Sequence, residues 1–401
     1  MISFDEARSR LLAGVCPLAS ERVALADGFG RVLAADLVAR TPLPRFDHSA
    51  MDGYAVRVGG FAGEGPWTLC VAGESAAGGE SPALLPGTAC RIFTGALIPA
   101  GADAVVMQEQ VVRTGEVIEL ASCPKRGAHI RRAGEDLAAG EVALVRGCRL
   151  GAGALAVAAM LDTSELTVSR APVVTVVCTG DELRPVGSFG GNPAAIAESN
   201  SVAIAALARQ AGARVRIAPI AKDDPETLAD ALTQALVGTD LLVTVGGVSV
   251  GDHDVVRPAL ERAGVTLDFW RVAMKPGKPL AVGRSANAHV LGLPGNPAGA
   301  MVTFALFGMP LLRALQGDRA PFPLRSQARL LGSQRRSVDR VEFVRVQVVV
   351  EADGWSVRVA SNQSSGAATS LAGSDGVARL SPGEGVLSGG SWVEVVRWSD
   401  L

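Results

Sequence analysis

The sequence is poor in lysine. Only four of its 38 basic residues are lysine, and two of these four, Lys275 and Lys278, lie three positions apart in the 401-residue chain. Because arginine supplies the other basic residues, a retained lysine pair indicates a site that needs compact ammonium donors. Chance clustering on a loop is the alternative. The net charge of −2 excludes the strongly basic footprint that is typical of nucleic-acid-binding proteins.

Paired cysteines and long apolar runs are also missing from the sequence pattern. The six cysteines form no CxxC pair, which argues against a zinc site or a redox motif. We find no apolar run of the roughly 18 residues that span a bilayer, and no signal-peptide pattern at the N-terminus. With 48% apolar residues the chain can still build sizeable cores. These features predict a soluble cytoplasmic protein without nucleic-acid or membrane partners.

The first 150 residues read as a short helix followed by strands. Ser3 and Glu6 have capping-box spacing, with Phe4, Ala7 and Leu11 along one helix face. The pattern becomes strand-like from about residue 31 to 38. Residues 55–150 contain short strand-length runs separated by turn residues, which predicts a mostly β region. Residues 152–161 then read as a short helix.

Strand and helix patterns alternate from residue 171 to 315. Val173–Cys178 and Leu241–Val245 are continuous apolar runs, typical of strands that are covered on both faces. Asp224 and Pro225 read as the cap and first residue of a helix, and Pro297 opens a long apolar helix to about Leu315. This alternation predicts a doubly wound α/β domain with a largely parallel sheet. From residue 321 onward the pattern is again strand-like and predicts a small C-terminal β domain.

Three loops that contain glycine follow strands of this α/β region. Ligands of doubly wound domains bind beyond the carboxyl ends of the strands, and such loops present backbone N–H groups to anions. Each loop alone could be an ordinary tight turn, but three together favour a phosphate-type site. The loops are Thr179-Gly180-Asp181-Glu182-Leu183, the stretch 246–254, and Pro294-Gly295-Asn296-Pro297.

Acidic residues near the same strand ends require an explanation. Carboxylates repel a phosphate unless a divalent cation lies between them, so Glu182, Asp223 and Asp254 predict a Mg²⁺ site. Helix capping is the alternative for Asp254, and it is the preferred reading of Asp224. The lysine pair lies in Met-Lys-Pro-Gly-Lys-Pro, residues 274–279, which we expect to follow a stiff path without helix or strand.

Eight short motifs occur in order along the chain. They are Ser49–Ala55, Phe93–Gly95, Gly134–Asp136, Thr179–Leu183, Gly246–Gly251, Lys275–Pro279, Leu293–Pro297 and Asn362–Gly366. This ordered set resembles bacterial molybdopterin molybdenumtransferase, the MoeA family, whose animal relative is the gephyrin E domain. The resemblance runs from about residue 3 to the end. Glu198 stands where many members have Asp, and His253 where Tyr or Ala is frequent.

The resemblance implies an elongated, four-part subunit that forms a homodimer with a shared active site. Its implied parts are a connecting domain (1–40 with 141–170), a mostly β domain (41–140), an α/β substrate-binding domain (171–320) and a C-terminal β domain (321–401). The implied reaction hydrolyses adenylylated molybdopterin, inserts molybdate into its dithiolene and releases AMP, with Mg²⁺ or another divalent cation. The molybdopterin adenylyltransferase and molybdoenzyme chaperones are further expected partners.

The resemblance also assigns roles to individual residues. Asp52, Thr94, Asp136, Glu182, Lys275 and Lys278 match positions tied to activity, and Glu182, Asp223 and Asp254 are the expected metal ligands. Arg345 and Ser370 are the candidates for molybdate contacts in the C-terminal domain. The expected substrate-binding residues of the loops are Thr179, Gly180, Asp181, Gly246, Gly247, Ser249, Gly251, Pro294, Gly295, Asn296 and Pro297.

Two other functions compete with this reading. A related adenylyltransferase uses the same α/β domain to activate molybdopterin with ATP, but its stand-alone form has only about the length of the central domain. A non-enzymatic scaffold is the second alternative, because the animal relative also clusters receptors. A scaffold should tolerate loss of the acids and lysines, whereas these positions match the family here.

Overall fold

The computed structural model describes residues 1–188, 192–247, 255–352 and 354–401. Contacts divide the chain into two compact units. The larger unit contains Met1–Ala34, Gly147–Gly151 and Leu166–Leu401, and the smaller contains Ala35–Arg146 and Ala152–Glu165. The four-part division stays a prediction.

The chain begins with the helix Phe4–Leu12 of the larger unit. The Ser3 hydroxyl accepts a hydrogen bond from the Glu6 N–H at 3.1 Å, which caps the first turn as the sequence predicts. Phe4, Ala7 and Leu11 are buried along one face. The Phe4 ring packs edge-on against Phe307, with ring centroids 5.4 Å apart. The helix is therefore held by the core of the α/β domain.

A six-stranded mixed sheet forms the centre of the larger unit. Its first four strands are parallel, and the last two join through antiparallel pairings, so only Pro279–Arg284 runs in the opposite direction. The sequence pattern predicted Val173–Cys178 and Leu241–Val245 as covered strands, and it missed the last two strands of the sheet. In sheet order the strands are Arg214–Ile217, Val173–Cys178, Leu241–Val245, His289–Leu293, Pro279–Arg284 and Thr266–Arg271.

Helices cover both faces of this sheet, which confirms the doubly wound class. Alternate residues of one strand enter different cores: Leu241 and Val243 pack with the helix Asn200–Gln210, whereas Leu242 packs with Pro225–Leu236. The helix Val256–Arg262 joins the second core. Asp224 caps its helix as predicted, accepting from the Thr227 N–H at 2.8 Å.

The long apolar helix on the first face is continuous from Pro297 to Leu315. It contains the α-helical segments Pro297–Thr303 and Met309–Leu315, joined by one π-helical stretch, Phe304–Gly308. Its 19 residues are long and apolar enough to cross a membrane, which corrects our reading that no such run exists. The most apolar window is 83% buried inside the protein, as in the core helix of a globular domain.

The C-terminal part of the larger unit is a second sheet. Five of its strands close into a ring, because Val341–Glu351 pairs with both of its neighbours and the chain of pairings returns to it. A sixth strand, Met274–Lys275, pairs in parallel with residues 341–342. The lysine stretch is therefore partly a strand, contrary to our expectation. The other ring strands are Gly354–Val359, Ser326–Leu331, Trp392–Arg397 and Gly376–Leu380.

The smaller unit is mostly β, as predicted. It contains a six-stranded sheet, the paired strands His48–Ser49 and Ile130–Arg131, the paired strands Leu37–Val38 and Val142–Leu144, and the helix Ala152–Met160. In sheet order the six strands are Ala104–Met107, Gly53–Val56, Thr88–Ile92, Trp67–Ser75, Val117–Leu120 and Val111–Thr114.

The strand expected from about residue 31 to 38 is mostly absent from the described structure. Only Leu37–Val38 is a strand of that stretch, while Val32 and Leu33 form single bridges to Arg149 and Val168. Val32 and Leu33 are buried without a continuous partner strand, whereas Val38 is exposed, so the stretch has a strand-like pattern although most of its backbone is irregular.

Candidate functional site

The predicted strand-end loops meet at one edge of the central sheet. Thr179, directly after the strand Val173–Cys178, forms a bridge with Ala221 of the neighbouring connection. Its hydroxyl donates to Asp223 Oδ1 at 2.6 Å, and the Asp223 N–H reaches Asp181 Oδ1 at 3.5 Å. The structure thus brings together three of the predicted residues, because parallel strands end at the same edge.

Glycine is required where the next loop passes Thr179. Gly246 has φ +98°, and a Cβ at this position would overlap the Thr179 carbonyl oxygen. Gly247, with φ +61°, is similarly enclosed by Val256 and Thr179. A Cβ on Gly295 would lie 3.4 Å from the Gly246 Cα. The three glycine-bearing loops are therefore in contact, with their backbones close enough to form one anion site.

The loop Pro294–Pro297 is fixed from outside by the start of another helix. The Asn200 side-chain amide donates to the Gly295 carbonyl at 2.7 Å. Asn200 begins its helix beside Glu198, which is buried and accepts from the Ser201 N–H at 2.8 Å and from the Cys178 thiol at 3.2 Å. Glu198, noted as a family departure, is thus a structural acceptor beneath the site.

A cleft of about 640 Å³ lies between the lysine stretch, the Pro294–Pro297 loop and the C-terminal sheet of the same unit. Pro294 and Asn296 belong both to this cleft and to the strand-end loops, so the two features are contiguous. The lining residues with polar side chains are Lys275, Lys278, Asn296, Arg340, Glu342, Gln363, Ser364 and Ser365.

The two lysines of the cleft differ in their surroundings. Lys275 Nζ lies 2.9 Å from Glu342 Oε1, and the Glu342 side chain is only 10% exposed. The parallel pairing of the strands places Lys275 directly beside Glu342. Lys278 is exposed, and it has no ion pair within the described residues. The charge of Lys275 is therefore partly neutralised inside the protein, whereas that of Lys278 is open to a ligand.

Arg345, a candidate for molybdate contact, lies in the strand Val341–Glu351 of the C-terminal sheet. It is fully buried, and its Nη2 donates to the carbonyls of Asn362 and Ser364, each at 2.9 Å. Burial lowers the pKa of Arg345. Gln363 exchanges two hydrogen bonds with the Arg345 backbone, at 3.0 and 2.9 Å. Arg345 therefore shapes the loop that lines the cleft.

Ser370, the second candidate for molybdate contact, lies in the short helix Ala368–Ala372. Its hydroxyl donates to the Ala367 carbonyl at 2.7 Å beside the short helix Ala368–Ala372, and Ser370 does not line the cleft. Ser364 and Ser365 line it instead, together with Arg340. Sequence reasoning missed these residues. The Asn362–Gly366 motif contains both serines and could have indicated them, whereas Arg340 belongs to no motif that we recognised.

In the smaller unit, the structure brings together two of the predicted catalytic residues. Asp52 Oδ1 accepts from both the N–H and the hydroxyl of Thr94, each at 2.8 Å. The hydrogen bond from the Thr94 backbone N–H has the larger effect and the one from its hydroxyl comes next. Together they hold the pKa of Asp52 below its usual range. Asp136 is exposed, and no hydrogen bond joins its carboxylate to this pair in the part of the chain that the structure describes.

The structure describes two of the three predicted metal ligands, Glu182 and Asp223. Ser249, Gly251 and Asp254 lie outside the described residues, and the described ones contain no cluster of three His, Cys, Asp or Glu side chains suited to a metal. Glu182 and Asp223 remain. The Glu182 side chain folds back over its own loop, and its Oε2 would lie only 2.8 Å from a Cβ added to Gly180. Two carboxylates fit Mg²⁺, which takes its other ligands from phosphate oxygens and water.

Comparison with known proteins accounts for this combination of folds. Residues 175–314, the α/β domain, match the family model of a probable molybdopterin binding domain, so fold and site define a protein of the molybdopterin-binding class. Residues 2–161 match the MoeA N-terminal region (domain I and II), and residues 327–398 match the MoeA C-terminal region (domain IV). The chain belongs to the molybdopterin molybdenumtransferase family and is a transferase.

Individual relatives support this assignment over most of the chain. The molybdopterin molybdenumtransferase of Haemophilus influenzae is 38% identical, covering 86% of this chain and 85% of the relative. That of Synechococcus elongatus is also 38% identical, over 98% and 99%. The crystal structure of the molybdopterin biosynthesis moeA protein from Pyrococcus horikoshii OT3 matches with a TM-score of 0.86 at 27% identity, covering 99% of this chain and all of that one.

Proposed function

We propose that this chain inserts molybdenum from molybdate into adenylylated molybdopterin and releases AMP, which completes the molybdenum cofactor. One observation carries the proposal: a cleft with two lysines is contiguous with an anion site built from glycine loops, through Pro294 and Asn296. The reaction needs two adjoining anion sites, one for the phosphates and one for molybdate. The family assignment is consistent with this chemistry.

The glycine loops are suited to the phosphate end. Their backbones approach closely around Gly246, so N–H groups and helix N-termini can face phosphate oxygens without side chains in between. Water attacks the phosphorus of the adenylyl group, the bridging P–O bond breaks, AMP leaves, and the other phosphate stays on the pterin. A bound Mg²⁺ near Glu182 and Asp223 would neutralise phosphate charge.

The cleft is suited to molybdate. This dianion needs fixed positive charge, which Lys278 offers without an internal partner among the described residues, and Lys275 offers in competition with Glu342. One molybdate oxygen leaves as water, taking up the two protons of the dithiolene thiols whose sulfurs bind the metal. Asp52, kept ionised by Thr94, is suited to accept a proton, and its part in the same reaction rests on the family resemblance.

The cellular setting is part of the same proposal. The partners would be adenylylated molybdopterin and molybdate, with the adenylyltransferase before this step and molybdoenzyme chaperones after it. We further propose a homodimer in the cytoplasm. Size-exclusion chromatography with light scattering tests the dimer, and a mass equal to one chain at micromolar concentration would contradict it.

The decisive experiment combines purified protein, adenylylated molybdopterin, Mg²⁺ and molybdate, and measures both AMP and active cofactor. We expect both products to appear together. Lys278→Ala should slow the reaction on the order of 10²–10³-fold, because one charge-stabilising donor is lost. The matched control is Lys125→Ala, an exposed lysine of the smaller unit that should leave the rate unchanged. No AMP with any divalent cation would refute the proposal.

A second incubation separates the competing adenylyltransferase activity. The protein is mixed with molybdopterin and ATP, and molybdate is omitted. Accumulation of the adenylylated pterin would favour that rival, whereas no product is expected here.

A further inference from the structure

The positively charged groups of the cleft are not equivalent. Lys275 already has an internal anion, because its Nζ lies 2.9 Å from the carboxylate of the nearly buried Glu342. The parallel strand pairing holds Lys275 and Glu342 side by side. An external oxyanion that binds Lys275 must therefore compete with the Glu342 carboxylate. This competition weakens the lysine as a docking group for the incoming ligand.

Arg340 lies on the same wall of the cleft and has no such internal anion. It immediately precedes the strand Val341–Glu351, two positions before Glu342. Its Nε is buried without a hydrogen-bond partner, and across the described residues Arg340 makes neither a hydrogen bond nor an ion pair. The Nε of Arg345, five residues further along, is also without a partner, but its Nη2 donates to two carbonyls, whereas no guanidinium nitrogen of Arg340 has an acceptor among the described residues.

Arg340 lines the cleft, and its guanidinium Nε–H has no acceptor in the described part of the chain. A buried donor without an acceptor costs free energy, and an anion that supplies the acceptor recovers that cost on binding. The planar fork of Arg offers two parallel donors to two oxygens of a tetrahedral oxyanion, which a lysine ammonium does not. Arg340 is therefore better prepared than Lys275 to receive a free oxyanion.

We propose that Arg340 is a further oxyanion-binding residue of the cleft, and that Glu342 is the internal anion which molybdate must displace from Lys275. The inference rests on the proposed function, because it names how molybdate is recognised there. It gives the two neighbouring residues opposite effects. Arg340 strengthens molybdate binding, whereas Glu342 weakens it.

The experiment measures binding of sodium molybdate to the intact full-length protein by isothermal titration calorimetry, without pterin. Arg340→Ala should weaken binding roughly tenfold or more, as expected for a lost hydrogen bond to a charged group. Arg340→Lys should be intermediate, since the charge remains without the fork. Glu342→Gln should tighten binding by up to about fivefold, because a partly exposed ion pair is modest in strength.

Controls separate binding from folding. Arg335→Ala removes an exposed arginine that does not line the cleft, and binding should be unchanged. Thermal unfolding of each variant shows whether it folds. If Arg340→Ala does not fold, Arg340→Lys decides, because it keeps the charge and most of the side-chain length.

The outcomes distinguish this inference from the proposed function. If the wild-type protein inserts molybdenum and folded Arg340 variants keep its affinity and its KM for molybdate, the inference is wrong and the function stands. Weaker binding by Glu342→Gln would also overturn it, since Glu342 would then position Lys275 for the ligand. A wild-type protein that neither binds molybdate nor releases AMP would refute the function, and the inference with it.

Discussion

The two walls of the candidate site are built by different means. At the strand ends the backbone itself forms the surface, and Gly246 is needed because the Thr179 carbonyl occupies the space of a side chain. On the wall from the C-terminal sheet, side chains do the shaping, with Arg345 holding the carbonyls of Asn362 and Ser364. The backbone-built wall is therefore sensitive to an added side-chain atom at Gly246. The wall built from side chains is sensitive to the loss of a hydrogen-bonding side chain such as Arg345.

The largest effect is expected at the backbone-built wall. Gly246→Ala adds a Cβ that overlaps the Thr179 carbonyl and occupies a left-handed φ, so the loop must move. We expect a loss of roughly 3 kcal/mol or more in the free energy of unfolding, from strain and overpacking together. Phosphate-end activity, measured as AMP release, should be nearly lost.

The control for this change is Gly264→Ala. Gly264 also has positive φ, +78°, but nothing lies within 4 Å of an added Cβ. It should lose only about 1 kcal/mol, the cost of the backbone conformation. Equal losses in urea unfolding would show that close approach to Thr179 contributes nothing.

A smaller effect is expected where side chains shape the wall. Arg345→Met keeps most of the volume but leaves two carbonyls without their donor. The expected loss is about 1–3 kcal/mol in the free energy of unfolding, with a higher KM for molybdate because the loop 362–365 loses its support. Arg358→Met, at an exposed position of the neighbouring strand, is the control. An unchanged KM would show that the loop keeps its shape unaided.

In the smaller unit, the hydrogen bonds from Thr94 set the pKa of a candidate catalytic residue, Asp52. Thr94→Val removes the hydroxyl donor and keeps the N–H, so the pKa of Asp52 should rise part of the way to its usual range. A carboxylate with a lowered pKa stays ionised until lower pH, so the acid limb of the AMP-release profile should move to higher pH. Carbon NMR titration of Asp52 measures the shift, and Thr114→Val is the control.

The smallest effect on the site is expected at the opposite end of the strand His289–Leu293. Burial, together with Arg284, lowers the pKa of His289 from 6.5 to about 4. As the pH falls, His289 therefore takes up a proton in the unfolded chain before it does so in the folded chain. Its contribution keeps the free energy of unfolding highest above pH 6.5 and lowers it between pH 6.5 and about 4. His289→Gln should flatten the dependence of Tm on pH in that window. An unchanged slope would contradict this account.

Sequence patterns predicted the elements whose residues share one environment. Leu241–Val245 is buried along its whole length, so its composition alone indicates a covered parallel strand. The antiparallel strand Thr266–Arg271 mixes exposed and buried positions, and it was missed. Met274–Lys275 is a strand only because Val341 and Glu342 lie beside it, which is a tertiary fact that no local pattern contains.

The site was predictable to the extent that it lies at strand ends. Thr179, Asp181 and Asp223 meet because parallel strands end together, which follows from the fold class. The positions of Arg345 and Ser370 depend on which way a strand and a short helix face, so motif order could not supply them. The pairing of Lys275 with Glu342 joins residues 67 positions apart, and a reading of neighbouring residues does not find it.

The strand Met274–Lys275 limits where the chain can be truncated or its domains exchanged. Because the α/β domain lends this strand to the C-terminal sheet, the two cannot be cut apart at residue 321 without leaving an unpaired edge on each. A truncated chain would expose that edge and release the lysine stretch at once. A chimaera that takes its C-terminal domain from a relative must keep the pairing of Met274–Lys275 with residues 341–342. Chimaeras that lose this pairing are expected to aggregate, because the strand edges stay unpaired.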